Sequence, residues 1–198
     1  MLAICGVLLI AMKTVVSVEA AIAGQAPLSP LRWLGFAALW PGMDPTRFSP
    51  SPPGSDTVRP LLRMGLARIG CGVLFLAAAR MAWLSTQSRL LATIPLLLGI
   101  SLIVHFGLFN VGAGLWRRLG VPCNQLFVAP LAAHGLAEFW GRRWNLAFTE
   151  MIQFGVYRPL SPRIGRTAAA VIGFGFSGVL HEMAISVPAK AEIGRAHV

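Results

Sequence analysis

Residues 90–116 read LLATIPLLLGISLIVHFGLFNVGAGLW and contain no Asp, Glu, Lys or Arg. The hydrocarbon core of a bilayer is about 30 Å thick, and about 20 apolar residues in a helix are enough to cross it. This stretch therefore predicts a transmembrane helix. Pro95 and the pair Gly112 and Gly114 are predicted to kink this helix or to let a neighbouring helix approach closely.

The composition of the whole chain agrees with a membrane protein. Of its 198 residues, 56% are hydrophobic and 12% are charged, whereas soluble proteins have about 25% charged residues. The net charge of +10 comes mostly from arginines in short clusters between apolar runs, which is unlike the continuous basic patch of a nucleic-acid-binding protein. The 3 cysteines lie in separate apolar segments without metal-ligand spacing, so neither a disulfide framework nor a zinc site is predicted.

The same length criterion predicts further spans at residues 1–18, 69–84 and 167–187. Residues 31–40 are apolar but too short to cross, which indicates an interfacial or re-entrant segment. A signal peptide is the alternative for residues 1–18, but such peptides begin with positive charge and this stretch has none before Lys13. The predicted fold class is all-α: a multi-span transmembrane helical protein with interfacial or re-entrant helices.

Composition also suggests boundaries along the chain. Residues 1–40 are predicted to hold the N-terminal membrane segments, and residues 41–66 to form an exposed proline-rich loop, since helices do not tolerate that proline density. Residues 67–191 are predicted to form the membrane core. Residues 192–198 read EIGRAHV, which is also the in-frame translation of a common sequencing adapter. They are predicted to be a non-native tail.

Residues 119–137 are the ambiguous part of the topology, because they are uncharged but contain prolines and polar side chains that suit lipid poorly. The positive-inside rule favours a segment that does not cross, because most basic residues then share one side of the membrane. The residues on that side would be Arg47, Arg59, Arg63, Arg68, Arg117, Arg118, Arg142, Arg143, Arg158, Arg163 and Arg166. The segment is therefore predicted to dip into the membrane or to lie on its cytoplasmic face.

The last predicted span contains an unusual polar group. Residues 173–178 match the letters of the dinucleotide-binding motif G-x-G-x-x-G, but that motif has meaning only between a strand and a helix, so close helix packing is the better interpretation. His181 and Glu182 follow. An ionisable residue inside a span costs about 2.5–3.5 kcal/mol. A histidine satisfied by a neighbouring carbonyl is one explanation, but the pair with Ser177 one turn earlier favours a substrate site.

Aromatic and charged residues alternate just before residue 150. Trp140, Trp144 and Phe148 are spaced to share one helical face, and Glu138 is spaced to pair with Arg142 one turn later. Aromatic rings and arginines are typical of a membrane interface. This stretch is therefore predicted to be an interfacial helix.

The same stretch also offers groups for substrate binding. Arg142 and Arg143 together suit a phosphate-bearing substrate at the membrane surface. Asn145 fits a purely interfacial role least well, since its amide places a donor and an acceptor beside an apolar face. His105 and His134 are each predicted to be structural.

Several motifs together resemble a known family. EFWGRRWNL at 138–146, VYRPL at 156–160 and FSGVLHE at 176–182 resemble, in order and spacing, the wax synthase branch of the membrane-bound O-acyltransferase family. WPGMDP at 40–45 is similar to an upstream element of these proteins. The resemblance implies a multi-helix membrane enzyme that moves a fatty acyl group from acyl-CoA to the hydroxyl of a long-chain alcohol, giving a wax ester. Diacylglycerol or a sterol is the alternative acceptor.

By this resemblance, His181 corresponds to the catalytic histidine and Asn145 to its companion polar residue. Acyl transfer from a thioester needs a base for the hydroxyl proton and a donor for the developing oxyanion, and these two side chains supply both. Direct attack without an acyl-enzyme is expected, with Ser177 as the nearest rival nucleophile. The expected substrate-binding residues are Arg142, Arg143, Trp144, Ser177 and Glu182. No metal and no cofactor are expected besides acyl-CoA as co-substrate.

Other expectations concern partners and location. The expected partners are acyl-CoA, a lipophilic alcohol and the lipid bilayer, with no nucleic acid and with the oligomeric state left open. The expected location is a bacterial inner membrane or the endoplasmic reticulum, as a multi-pass protein. The family continues with hydrophobic helices beyond residue 189, so the chain is expected to be a C-terminally truncated fragment. From another class, a transporter could relay protons through His181 and Glu182.

Overall fold

The structure is a computed structural model that describes residues 2–49 and 58–195, with side chains except at 2–5, 181 and 184–195. Every regular element in these ranges is helical, which confirms the all-α prediction. The helices are α1 (Leu2–Ile22), α2 (Pro30–Leu39), α3 (Val58–Thr86), α4 (Arg89–Ser101), α5 (Phe109–Arg118), α6 (Leu136–Glu138), α7 (Leu146–Ile152), α8 (Arg158–Ile164) and α9 (Arg166–Arg195). The chain forms two compact units, one of residues 50–146 and one of residues 1–49 with 147–198.

The unit of residues 50–146 contains two helices that are long and apolar enough to cross a membrane. One is α3, and the other runs without a break through α4, a π-helical turn at Leu102–Leu108 and α5. Only 17% and 11% of their most apolar stretches are buried in the protein, whereas the core helix of a soluble protein is mostly buried. The helix predicted at 90–116 is confirmed and is long and apolar enough to cross a membrane. The helix predicted at 69–84 is longer than expected, because α3 already begins at Val58.

These two helices pack against each other through glycines. A Cβ atom added to Gly72 would lie 2.8 Å from the carbonyl oxygen of Gly99, and one on Gly65 would lie 3.0 Å from that of Gly107. A Cβ atom on Gly114 would lie 2.9 Å from Cδ2 of Leu62, as expected for a close helix approach. Apolar side chains gain little from leaving lipid for protein, so close backbone packing stabilises such a helix pair.

This packing predicts a sharp difference between two glycines of α3. Gly72→Val should destabilise the hairpin of α3 and α4 by about 1–3 kcal/mol or more, because the added side chain meets backbone that cannot move aside. The matched control is Gly70→Val on the same helix, where a Cβ atom meets nothing within 4 Å. Thermal unfolding in detergent measures both variants, and equal losses would contradict the close approach.

Residues 119–137 form no helix of membrane length, in agreement with the prediction that they do not cross. The chain is irregular from Val121 to Ala129 and then makes a single 3₁₀ turn at Pro130–Ala132. Irregular backbone does not satisfy its own hydrogen bonds, so it is not stable in contact with lipid.

The prediction of an exposed loop at 41–66 is wrong at both ends. Met43 and Phe48 are buried, and the ring of Phe48 packs edge-on against Phe36 at 5.3 Å. Residues 58–66 belong to α3, because Pro60 lies in the first turn, where backbone N–H groups have no helical partner to lose. Residues 50–57 lie outside the described residues.

Lys13, which interrupts the first predicted span, has a structural role. It is fully buried in α1, donates to the carbonyl of Gly42 and lies over the ring of Phe36 at 3.5 Å. Glu150 accepts a hydrogen bond of 2.7 Å from the backbone N–H of Met43. Lys13 and Glu150 therefore bind the two ends of one peptide group in the 40–45 element. Whether α1 and α9 cross the membrane stays a prediction.

Candidate functional site

The backbone changes direction at Trp144 and Asn145. A π-helical turn, Phe139–Arg143, ends at Trp144, which is extended with φ −107° and ψ 125°. Asn145 has a φ of +46°, a left-handed conformation that asparagine adopts more readily than most residues, and α7 begins at Leu146. The helix is therefore interrupted, and the prediction that Trp140, Trp144 and Phe148 share one continuous helical face is wrong.

Two backbone hydrogen bonds hold this interruption in place. The N–H of Val128 donates to the carbonyl of Arg143 at 2.8 Å, and the N–H of Leu146 donates to the carbonyl of Leu126 at 2.9 Å. The bonds lie on either side of the Trp144–Asn145 dipeptide. Its conformation therefore depends on residues 126–128, which lie 16–19 positions earlier in the chain and cannot be identified as neighbours from the sequence alone.

Arg143 provides a further connection between these segments. Its Nη2 and Nε atoms lie 2.7 and 2.8 Å from Oε1 of Glu138, and its Nη1 donates to the carbonyl of Ala129 at 3.1 Å. The predicted pair of Glu138 with Arg142 is wrong. A π-helical turn joins residues five apart, as in the 2.8 Å bond from Trp144 N–H to the Phe139 carbonyl, so Glu138 meets Arg143.

Glu138 is held in its charged form by its neighbours. The backbone N–H of His134 at 2.9 Å, followed by the side chains of Arg143 and His134, lowers the pKa of Glu138 from 4.5 to about 2. A carboxyl with a lowered pKa stabilises the folded state fully above pH 4.5, and this contribution is lost as the pH falls towards 2.

We therefore expect Glu138→Gln to weaken the acid dependence of stability. Glutamine keeps the shape of the side chain but has no charge to lose, so its thermal stability should change less than that of the wild type over this acid range. Melting temperatures of detergent-solubilised protein at a series of pH values provide the measurement. If the melting temperatures of the two proteins depend on pH in the same way, the charge of Glu138 does not contribute to the acid dependence of stability.

An aromatic cluster surrounds the half-buried side chain of Trp144. Its ring meets Phe127 edge-on at 5.0 Å and stacks on Phe139 at 5.5 Å. The ring of His105 lies 6.0 Å from Trp144, and its Nδ1 is 3.2 Å from Oγ of Ser101. This packed setting agrees with the structural role predicted for His105. The sequence missed Phe127 and His105 as neighbours of Trp144, because they lie on other segments.

The two polar candidates beside this cluster are available to a ligand. The side chain of Asn145 is half-buried and makes no hydrogen bond with the described residues. Arg142 is exposed and likewise has no internal partner among them, whereas the guanidinium of Arg143 is occupied. Of the predicted arginine pair, only Arg142 thus has a guanidinium without a partner among the described residues.

The second group of candidates lies on α9, in the other unit. Ser177 is half-buried, Glu182 is exposed, and the side chain of His181 lies outside the described residues. The helix places Ser177 one turn before His181, as predicted. A Cβ atom on Gly173 would lie 2.6 Å from Cγ2 of Ile152, so Gly173 permits a close approach of α7 and is part of a packing surface.

Metal binding has no support in the described part of the chain. Among the described residues, no three His, Cys, Asp or Glu side chains come close enough together to hold a metal ion.

Comparison with known proteins identifies relatives of the C-terminal part. Residues 123–196 match the model of the membrane bound O-acyl transferase family, which confirms the resemblance there. The chain is 34% identical to probable long-chain-alcohol O-fatty-acyltransferase 1 of Arabidopsis thaliana, over 43% of this chain and 28% of the relative. It is 32% identical to long-chain-alcohol O-fatty-acyltransferase of Simmondsia chinensis, over 33% and 21%.

A third relative has a different name. The chain is 39% identical to acyl-CoA–sterol O-acyltransferase 1 of Arabidopsis thaliana, over 29% of this chain and 19% of the relative. The chain thus spans between 19% and 28% of the lengths of these three relatives. No solved structure matches it significantly.

Proposed function

We propose that the protein transfers a fatty acyl group from acyl-CoA to the hydroxyl of a long-chain alcohol, forming a wax ester. The observation that carries this proposal is the Trp144–Asn145 dipeptide, which is fixed by backbone hydrogen bonds to residues 126 and 128. The side-chain amide of Asn145 makes no hydrogen bond with any residue that the structure describes. It lies within the region that matches the acyltransferase family. Two relatives named for long-chain alcohols support this acceptor.

The chemistry assigns a separate role to each polar residue. The alcohol oxygen attacks the thioester carbonyl carbon while His181 accepts the hydroxyl proton. The Asn145 amide donates to the oxyanion that develops on the carbonyl oxygen. The C–S bond then breaks, and the proton passes from His181 to the departing CoA thiolate. Ser177 and Glu182 flank His181 on α9 and contact the acceptor, and no acyl-enzyme forms.

A sterol is the second candidate acceptor, because one relative is named for it and has 39% identity. Membranes from cells that express the chain, given radiolabelled acyl-CoA and a fatty alcohol, a sterol or diacylglycerol, test the three acceptors together. Wax ester as the main product is expected, and it should disappear in the His181→Ala variant. Absence of labelled ester with every acceptor would contradict the acyltransferase proposal.

The same membranes separate this function from proton relay. Acidification inside vesicles that contain the protein reports proton flux, and an acyltransferase should show none. A flux that disappears with Glu182→Gln would instead favour a transporter. The proposed location is a multi-pass position in a bacterial inner membrane or the endoplasmic reticulum.

The two neighbouring arginines should behave differently. Arg142→Gln should raise the acyl-CoA KM about tenfold, the cost of one hydrogen bond to a charged phosphate, with little change in the alcohol KM. It should alter the free energy of unfolding by no more than about 0.5 kcal/mol, as is usual for exposed side chains. Arg143→Gln should lower the melting temperature, because Glu138 loses its ion pair and the Ala129 carbonyl loses one of its hydrogen bonds.

Substrate titrations and thermal melts of both variants provide the measurement. If the alcohol KM rises as much as the acyl-CoA KM, Arg142 does not bind the phosphate specifically and is instead an arginine of the membrane interface.

A further inference from the structure

The unit of residues 50–146 contains a cavity next to the Trp144–Asn145 dipeptide. Its volume is about 430 Å³, within the range of 300–1,000 Å³ that is typical of small-molecule sites. Leu61 and Met64 at the start of α3 form part of its apolar wall. Leu146, the residue after Asn145, completes that wall.

Another part of the cavity lining is polar. It consists of Arg117 at the end of α5, and Asn124 and Gln125 in the irregular segment. Both amide side chains are half-buried and make no hydrogen bond with any described residue. Each has two donors and an acceptor to offer. The Nε of Arg117 donates to the Cys123 carbonyl at 2.8 Å, which fixes the guanidinium near these amides.

The backbone connects this wall directly to the proposed reaction site. Leu126 and Val128 follow Gln125 in sequence, and they make the two bonds that bracket Trp144 and Asn145. A ligand held by Asn124 and Gln125 is therefore positioned by the same segment that positions the Asn145 amide. The cavity was not predicted from the sequence, because its walls come from three separate stretches of chain.

The mixed polar and apolar lining indicates which part of an acyl-CoA molecule the cavity can bind. A fatty chain would leave the amides of Asn124 and Gln125 without hydrogen-bond partners in the cavity, which costs free energy for each of these half-buried groups. The pantetheine arm has two amides of its own, a gem-dimethyl group for the apolar wall and a phosphate at its far end. A phosphate beside Arg117 gains a charge-assisted hydrogen bond.

We propose that this cavity, lined by Leu61, Met64, Arg117, Asn124, Gln125 and Leu146, binds the phosphopantetheine arm of acyl-CoA. The amides of Asn124 and Gln125 pair with the amides of the arm, and Arg117 faces the phosphate. This inference rests on the proposed use of acyl-CoA. It adds a specific binding site to that use, separate from the role of Arg142 at the surface.

Equilibrium binding tests the cavity without requiring turnover. The probe is desulfo-CoA, which keeps the whole arm but has no thiol to acylate. The double variant Asn124→Leu with Gln125→Met keeps side-chain size and removes both amides, so it should weaken binding of desulfo-CoA about tenfold or more. The matched control is Gln153→Met, an exposed amide outside the cavity, which should bind like the wild type.

A second measurement shows whether the double variant is still folded. It also distinguishes failure of the cavity proposal from failure of the proposed function. For acyl-CoA, the double variant should raise KM, whereas a fatty acyl thioester of 2-mercaptoethanol has no amide and its KM should stay unchanged. Unchanged binding of desulfo-CoA, or equal rises in KM for both donors, would overturn the cavity proposal. If binding depends on the amides but no ester forms, the cavity stands and the acyltransferase proposal fails. If ester forms and the double variant behaves like the wild type, the acyltransferase proposal stands and the cavity proposal fails.

Discussion

His181→Ala should lower kcat by about 10²- to 10⁴-fold, the usual contribution of a general base. The alcohol proton then has no side-chain acceptor, so attack on the thioester slows although both substrates still bind. Turnover at saturating acyl-CoA and alcohol, normalised to the amount of protein in the membrane, provides the measurement. Acidification of the wild-type protein should cause a similar loss, because a protonated imidazole cannot accept the hydroxyl proton.

Ser177→Ala is the variant that separates base catalysis from an acyl-enzyme mechanism. Ser177 lies one turn before His181 on α9, where it could act as a nucleophile activated by the histidine. Direct attack by the alcohol predicts a much smaller loss for Ser177→Ala than for His181→Ala. Equal losses would favour an acyl-enzyme. A fully expressed His181→Ala protein with wild-type turnover would refute the base role and leave the histidine as a packed structural residue.

The sequence was sufficient to locate the two long apolar helices, because their signal is local. The span predicted at residues 90–116 is a helix at Arg89–Arg118. A long uncharged stretch has no stable state in water or in an irregular loop, so composition alone decides its structure. The sequence misplaces the start of α3, because the proline density predicts a loop that includes Pro60, although proline is tolerated in the first turn of a helix.

The details of the candidate site depend on contacts between distant residues, which composition does not reveal. The π-helical turn at Phe139–Arg143 shifts the partner of Glu138 from Arg142 to Arg143. Helical spacing rules assume α-helix geometry and therefore gave the wrong pair. In the sequence, Lys13 is similarly an interruption of an apolar stretch. It is instead a buried donor to Gly42, which a sequence cannot show because the two residues are 29 apart.

Asn145 combines two properties that a single alanine substitution would confuse. Its backbone is left-handed, with φ +46°, and alanine there would add strain of about 1–2 kcal/mol. Its side-chain amide makes no bond with the described residues and is the proposed donor to the oxyanion. Glycine adopts a left-handed conformation without steric cost, so Asn145→Gly removes the amide and keeps the backbone. Asn145→Asp keeps the shape and replaces the amide donor by a carboxylate.

We expect Asn145→Gly and Asn145→Asp each to lower kcat by about 10²- to 10³-fold, as the loss of one oxyanion donor does elsewhere. The melting temperature of Asn145→Gly should stay close to that of the wild type, since the left-handed turn is preserved. Because Asn145 and His181 would serve one transition state, the double variant with His181→Ala should be less impaired than the product of the two single losses. Wild-type kcat in Asn145→Gly would show instead that the asparagine is needed only for its backbone conformation, and the oxyanion donor would have to be another group.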